Sequence, residues 1–202
     1  MSTEKHTIVY ALHGNGYINL TNRCTLRCKF CPKFNKQWEV QGYPLRLTPE
    51  PSVNDVLKAL GDLTLYQEIV FCGLGELTLL LDNLLEIAEM LKKRGARVRI
   101  NTDGLANLVH GYDVTPRFAG KIDSLSISLN AQNEEIYITH CRPQQEHAYS
   151  ELLDFISCAR KHVADITLTA IDGLAGVDID ACAQMAQQFN VAFRRRVLDQ
   201  VG

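Results

Sequence analysis

Asn22-Arg23-Cys24-Thr25-Leu26-Arg27-Cys28-Lys29-Phe30-Cys31 carries three cysteines with three and two residues between them. Thiols this close together can ligate a single metal centre, and thiolate is the usual protein ligand of iron-sulfur clusters. A fourth cysteine normally closes a cluster that only carries electrons, so three ligands leave one iron of a four-iron cluster open to chemistry. The competing reading is a zinc site, whose closed tetrahedron needs a fourth cysteine or histidine and usually shows paired spacings. No such pair occurs here: Cys72, Cys141, Cys158 and Cys182 are scattered, and none of the six histidines has convincing ligand spacing. Most of those histidines read as surface or turn residues.

A chain of 202 residues with 46% hydrophobic content can bury a core without disulfide staples, so the seven thiols point to a reducing compartment. Met1 to His6 is polar, and no apolar run is long enough for a signal peptide or a membrane span. The expectation is a cytoplasmic protein. A net charge of -2 excludes a global footprint for nucleic acid. Locally, Arg23, Arg27, Lys29, Lys33, Lys36 and Arg46 face one acid, Glu39, so the cysteine loop reads as electropositive. Charge runs of this kind commonly just face water, but this one would also suit an acidic electron donor or an anionic substrate.

Working outward, an opening strand near residues 7–12 runs through the turn His13-Gly14-Asn15-Gly16 into Tyr17–Thr21, with Asn-Gly as the hairpin signal. Further β-rich runs occur at Glu68–Cys72, Arg97–Asn101, Ser124–Leu129, Ile166–Ile171 and Val191–Val197. Helical periods fill the intervals, clearest over Leu81–Lys93, His147–Val163 and Ile179–Phe189. Strands alternating with helices predict an α/β fold with a parallel sheet, and no repeat or linker divides residues 1–202 into more than one domain.

The cysteine spacing, with an aromatic before the last ligand, resembles the signature of the radical S-adenosylmethionine (SAM) superfamily. The resemblance implies a partial (β/α)6 barrel of parallel strands, preceded here by an N-terminal hairpin strand. Chemistry in such barrels sits at the carboxyl ends of the strands, where this chain places its unusual residues. Cys72-Gly73-Leu74-Gly75-Glu76 follows the second parallel strand and resembles the superfamily's glycine-rich element, whose glutamate and backbone carbonyls hold the SAM amino group. Leu77 stands where proline is common. Ser126, Ser128 and Asn130 alternate along the fourth strand and so share a face. The resemblance implies ribose and carboxylate contacts there, with Ser128 and Asn130 preferred, while Arg142 in Cys141-Arg142-Pro143 is a candidate for the methionyl carboxylate. Phe30 would lie beside the adenine, and Ile171 with Gly173 matches the apolar adenine contact loosely.

The resemblance therefore assigns Cys24, Cys28 and Cys31 to a 4Fe-4S cluster, and Phe30, Gly73, Gly75, Glu76, Ser128, Asn130 and Arg142 to SAM. Reductive cleavage of SAM would give a 5'-deoxyadenosyl radical that takes hydrogen from a substrate. An electron donor such as a flavodoxin or ferredoxin is implied. Asn19–Cys24, Phe71–Glu76, Arg99–Ala106, Ser126–Asn130 and Cys141–Pro143 together are most similar to the small TatD-associated radical SAM group, which suggests association with a TatD-type hydrolase. The substrate stays open between a protein partner, which would also cover the open barrel side, and an anionic small molecule or nucleotide. Arg194 and Arg196 share one face of the last strand and favour the latter. Asp103 is a further polar candidate. Cys72, Cys158 and Cys182 read as core thiols, and Cys141 as structural or as a redox partner near the site. The contrasting reading is a non-catalytic iron-sulfur or zinc-binding interaction module.

Overall fold

The computed structural model describes residues 7–197, so the reading of Met1 to His6 falls outside the described residues. Strand β1 (Val9–Leu12) pairs antiparallel with β2 (Asn15–Ile18). A small hairpin, β3 (Glu39–Val40) and β4 (Tyr43–Pro44), stands apart from the main sheet. Five more strands follow β2 in parallel: β5 (Ile69–Phe71), β6 (Val98–Thr102), β7 (Ser124–Ser128), β8 (Asp165–Asp172) and β9 (Ala192–Val197). The sheet order is β1-β2-β5-β6-β7-β8-β9, with β1 and β9 at its two edges. Six parallel strands thus form the expected partial barrel, left open between its edges.

Helices α1 (Val53–Leu60), α2 (Leu81–Lys93), α3 (Ala106–His110), α4 (Glu134–Cys141), α5 (Ala148–Ala159) and α6 (Ile179–Gln188) connect them. In α2, Leu81, Leu84, Leu85, Ala88 and Leu91 are buried, spaced so that one stripe meets the sheet. Strand β6 shows the matching half of the contact. Val98, Ile100 and Thr102 are buried, whereas Arg99 and Asn101 alternate with them on the other face. The hydrophobic core therefore lies between the outer sheet face and the helices, and includes Ile69, Phe71, Val98, Ile100, Leu125, Ile127, Phe118 and Phe155. The inner face carries Arg99 and Asn101, with the buried Val70 in register beside Arg99.

The β1–β2 turn differs from expectation. Its two central residues are His13 and Gly14, both with positive φ (52° and 78°), and Leu12 already pairs with Asn15. The primed two-residue turn that matches strand twist needs positive φ at both positions, so the reversal comes one dipeptide earlier than the Asn-Gly signal suggested. Helix α5 is also shorter than the His147–Val163 pattern. His147 caps its start in the left-handed region (φ 59°), and the last turn has left the helix by Arg160. Among the described residues, no helix is long and apolar enough to cross a membrane.

Candidate cofactor site

The cysteine loop leaves β2 and is held from three sides. Asn22 accepts from the Leu47 amide through Oδ1 (3.1 Å) and donates from Nδ2 to the Leu47 carbonyl (2.7 Å). The Glu76 amide donates to the Arg23 carbonyl at 2.8 Å, tying the loop to the glycine-rich turn after β5. The end of α4 supplies the third hold: Lys29 N donates to the His140 carbonyl (2.9 Å) and Arg27 N to the Cys141 carbonyl (3.0 Å), with Leu26 bridged to Pro143. Outside, Arg23 pairs with Glu50 at 3.0 Å, and Arg46 lies 5.5 Å over the Trp38 ring. Arg27, Lys29 and Lys36 stay exposed, so the loop keeps a basic outer surface.

Cys24, Cys28, Cys31 and Phe30 line one cavity of about 360 Å³, together with Gly73, Gly75, Glu76, Asp103, Ser126, Ser128, Asn130, Arg194 and Arg196. This size is within the range of small-molecule sites. The three thiols do not form a closed ligand set: among the described residues, no trio of His, Cys, Asp or Glu is already gathered as a metal site. They are nonetheless close enough to feel one another. The Cys28 thiol is held well above its ordinary range by its hydrogen bond with Cys141, then by burial and the neighbouring Cys24 and Cys31. Burial, Asp103 and Glu76 push Cys24 up to about 12. A cavity that disfavours bare thiolates to this degree suits a cationic metal centre, which would neutralise them.

Gly73 and Gly75 are required for space rather than for unusual dihedrals, since neither has positive φ. A Cβ on Gly75 would lie 2.5 Å from the Arg23 carbonyl oxygen and closer still to that of Thr21. On Gly73 it would lie 2.9 Å from Asn19 Cγ. The glycines thus let the β5 turn press against the cysteine loop. Glu76 is buried and accepts from Thr78 N (3.1 Å), Thr78 Oγ1 (2.7 Å), Thr102 Oγ1 (2.9 Å) and Asp103 N (2.7 Å). Its carboxylate is therefore fixed before any ligand arrives. Asp103 sits beside it with its carboxyl well above the usual carboxylate range because it is buried and faces Glu76, against the opposing effect of a hydrogen bond donated by Thr25. Sequence reasoning had not connected Asp103 to Glu76 or Thr25.

Asn130 occupies the left-handed region (φ 61°) just beyond β7, and its side chain is buried. Nδ2 donates to Cys141 Sγ at 3.6 Å, whereas Oδ1 has no partner. A buried acceptor without a donor is costly, and a hydroxyl-bearing ligand in this cavity would satisfy it. These observations meet the demands of the two expected groups: three thiols, a glycine cradle that admits no Cβ, and an orphaned acceptor in one cavity.

Several expected residues lie elsewhere. Arg142 is the exposed, left-handed cap of α4 (φ 48°) and does not line the cavity; its carbonyl accepts from Arg27 N. Ile171 is buried in the protein interior, and Gly173 has open space around it; neither lines the cavity. Cys72, expected in the core, instead lines the cavity, while Cys141 and Cys182 are buried and Cys158 is half-buried. His140 is buried, not superficial: Nε2 meets the Ala175 carbonyl at 2.7 Å and Nδ1 is unpartnered. Tyr137 was not anticipated. It is buried on α4 one turn before Cys141, with a hydroxyl that has no partner.

An open parallel βα barrel with a thiol-lined cavity at the carboxyl ends of its strands places the candidate site where ligands bind in barrels of this class. The profile described as the Radical SAM superfamily matches residues 18–189. The chain belongs to that superfamily. It is 29% identical over 150 residues, 69% of this chain, to the dual-specificity RNA methyltransferase RlmN of Buchnera aphidicola subsp. Schizaphis graminum (strain Sg), and spans 39% of that relative. Its fold is similar to Streptococcus suis SuiB bound to the precursor peptide SuiA (TM-score 0.67, 11% identity, 91% of this chain and 39% of SuiB). It is also similar to the radical SAM methyltransferase TsrM from Kitasatospora setae with cobalamin and a 4Fe-4S cluster bound (0.62, 12%, 91% and 36%). The FeFe-hydrogenase maturase HydG from Carboxydothermus hydrogenoformans is a third (0.61, 19%, 91% and 43%).

Proposed function

We infer that residues 1–202 form a radical SAM core domain that cleaves SAM reductively, and that the observation carrying this reading is the shared cavity of Cys24, Cys28, Cys31, the Gly73–Glu76 cradle and Asn130. The three cysteines would hold a 4Fe-4S cluster. When bound, cluster and SAM together supply one-electron cleavage of a carbon-sulfur bond and a 5'-deoxyadenosyl radical able to abstract hydrogen. The protein's part is placement. Glu76, clamped by four donors, presents a fixed carboxylate to the SAM amino group, while Asn130 Oδ1 accepts from a ligand hydroxyl and Ser128 stands beside it on the same wall. Phe30, half-buried between two ligands, offers an apolar side to the adenine.

The exposed Arg27, Lys29 and Lys36 around the loop suit docking of an acidic electron donor such as a flavodoxin or ferredoxin. SuiB is described with a precursor peptide, which supports a protein partner across the open barrel side. Membership of the TatD-associated group, and with it a TatD-type hydrolase as partner, rests on the motif stretches alone, and seven free cysteines suit a reducing cytoplasm. An interaction module would have no use for an orphaned acceptor and a substituent-free glycine cradle beside its thiols.

The test is anaerobic reconstitution with iron and sulfide, reduction, and chromatographic assay of 5'-deoxyadenosine, comparing wild type with Cys28→Ala. Product from wild type and none from the variant is expected. Incorporation of zinc in place of iron, with SAM left intact, would sink the reading.

A further inference from the structure

We propose that the inner barrel wall around Arg194 binds the anionic group, phosphate or carboxylate, of a small polar substrate. This rests on the radical SAM reading for its chemistry but not for its geometry. Below the cofactor cavity lies a second one of about 400 Å³, lined by Glu68, Arg97, Arg99, Ser124, Asp165 and Thr167 at the amino ends of the strands. The two cavities share Ser126 and Arg194. Arg194, exposed on the edge strand β9, and Ser126 thus stand between two polar cavities of the barrel interior.

The charges lining the two cavities differ in their partners. In the lower cavity Glu68 is already engaged by Arg97 (3.2 Å) and Arg99 (2.8 Å), and Asp165 by Arg97 (2.6 Å). On β9, Arg195 points away from the interior and pairs with Asp172. None of the ion pairs among the described residues includes Arg194; its guanidinium donates to the neutral Ser126 Oγ at 3.2 Å. Arg196, two residues on, also lines the cofactor cavity. The planar guanidinium fork of Arg194, which holds no carboxylate, matches phosphate or carboxylate.

The neighbouring wall fits a polar guest. Asn101, Ser126, Ser128 and Thr169 contribute amide and hydroxyl groups to it. Ser126, which Arg194 contacts, lies two residues before Ser128 at the end of β7, about 7 Å at strand rise. A molecule held at Arg194 would therefore lie deeper in the barrel than the groups held at the rim.

Equilibrium titration of the reconstituted protein with inorganic phosphate, followed by phosphorus NMR line broadening and repeated with malonate as competitor, tests the proposal without turnover. Wild type is expected to bind phosphate saturably. Arg194→Gln should weaken it by about tenfold or more, the scale of a lost charge-assisted hydrogen bond. Arg194→Lys should restore part of the binding, and Arg195→Gln should leave it unchanged. Displacement by malonate assigns the site to carboxylates as well, and failure to displace assigns it to phosphate. Equal binding by wild type and Arg194→Gln, equal loss in Arg195→Gln, or no saturable binding by wild type overturns the proposal. Absence of SAM cleavage with phosphate binding intact would instead remove the radical SAM reading.

Discussion

At the residue scale, two side chains carry opposite expectations. Gly75 has no room for a methyl group because two backbone oxygens of the cysteine loop occupy the space. Gly75→Ala must push the loop away from the β5 turn, so a stability loss of about 1–3 kcal/mol is expected from overpacking, together with weaker SAM retention. Thermal unfolding and equilibrium dialysis with labelled SAM would measure both, and wild-type values in each would contradict the account. Tyr137 is the converse. Its hydroxyl is buried without a partner, and burial holds its ionisation far above the ordinary range. Removing an unsatisfied buried hydroxyl recovers its desolvation cost, so Tyr137→Phe should leave the cluster-free protein as stable or more stable by about 1 kcal/mol. A clear loss in urea unfolding would mean that the hydroxyl has a partner, ordered water included.

At the scale of elements, the loop that carries the ligands is fastened to its neighbours by polar contacts. Burial works against the charge of Glu50, but hydrogen bonds from Thr21 and Arg23 hold its carboxyl below the usual range. A lowered folded value means that its contribution is present above the unfolded value, about 4.3, and is lost as pH falls through the folded one. Between pH 5 and 3 the melting temperature of wild type should therefore fall more steeply than that of Glu50→Gln. Parallel curves would show that the pair does not hold the loop. The legibility of elements follows the same physics. α2 was readable because its buried residues recur at helical spacing, whereas α4 exposes Ile138 and buries His140 and Cys141, which blurs its stripe. α1 does carry a readable start, a reciprocal cap between Ser52 and Asp55. The hairpin reversal was displaced because His13 adopts the positive φ that a sequence reading reserves for Asn-Gly.

At the scale of the molecule, the parallel alternation and the clustering of unusual residues at strand ends were legible because each motif follows its own strand. What stayed hidden depends on contacts between distant segments. The grip of α4 on the loop, the Glu76–Asp103 pair and the Arg194–Ser126 contact each join segments that are far apart in the chain. Arg142 read as a ligand contact because its guanidinium can pair bidentately with a carboxylate, yet it stands exposed at the left-handed end of α4. The placement of the core outside the sheet has a final consequence. Because neighbours along each strand serve opposite masters, one anchoring the helices and the next facing the guest, the molecule can be re-tailored to new chemistry by changing every second residue while its scaffold goes untouched.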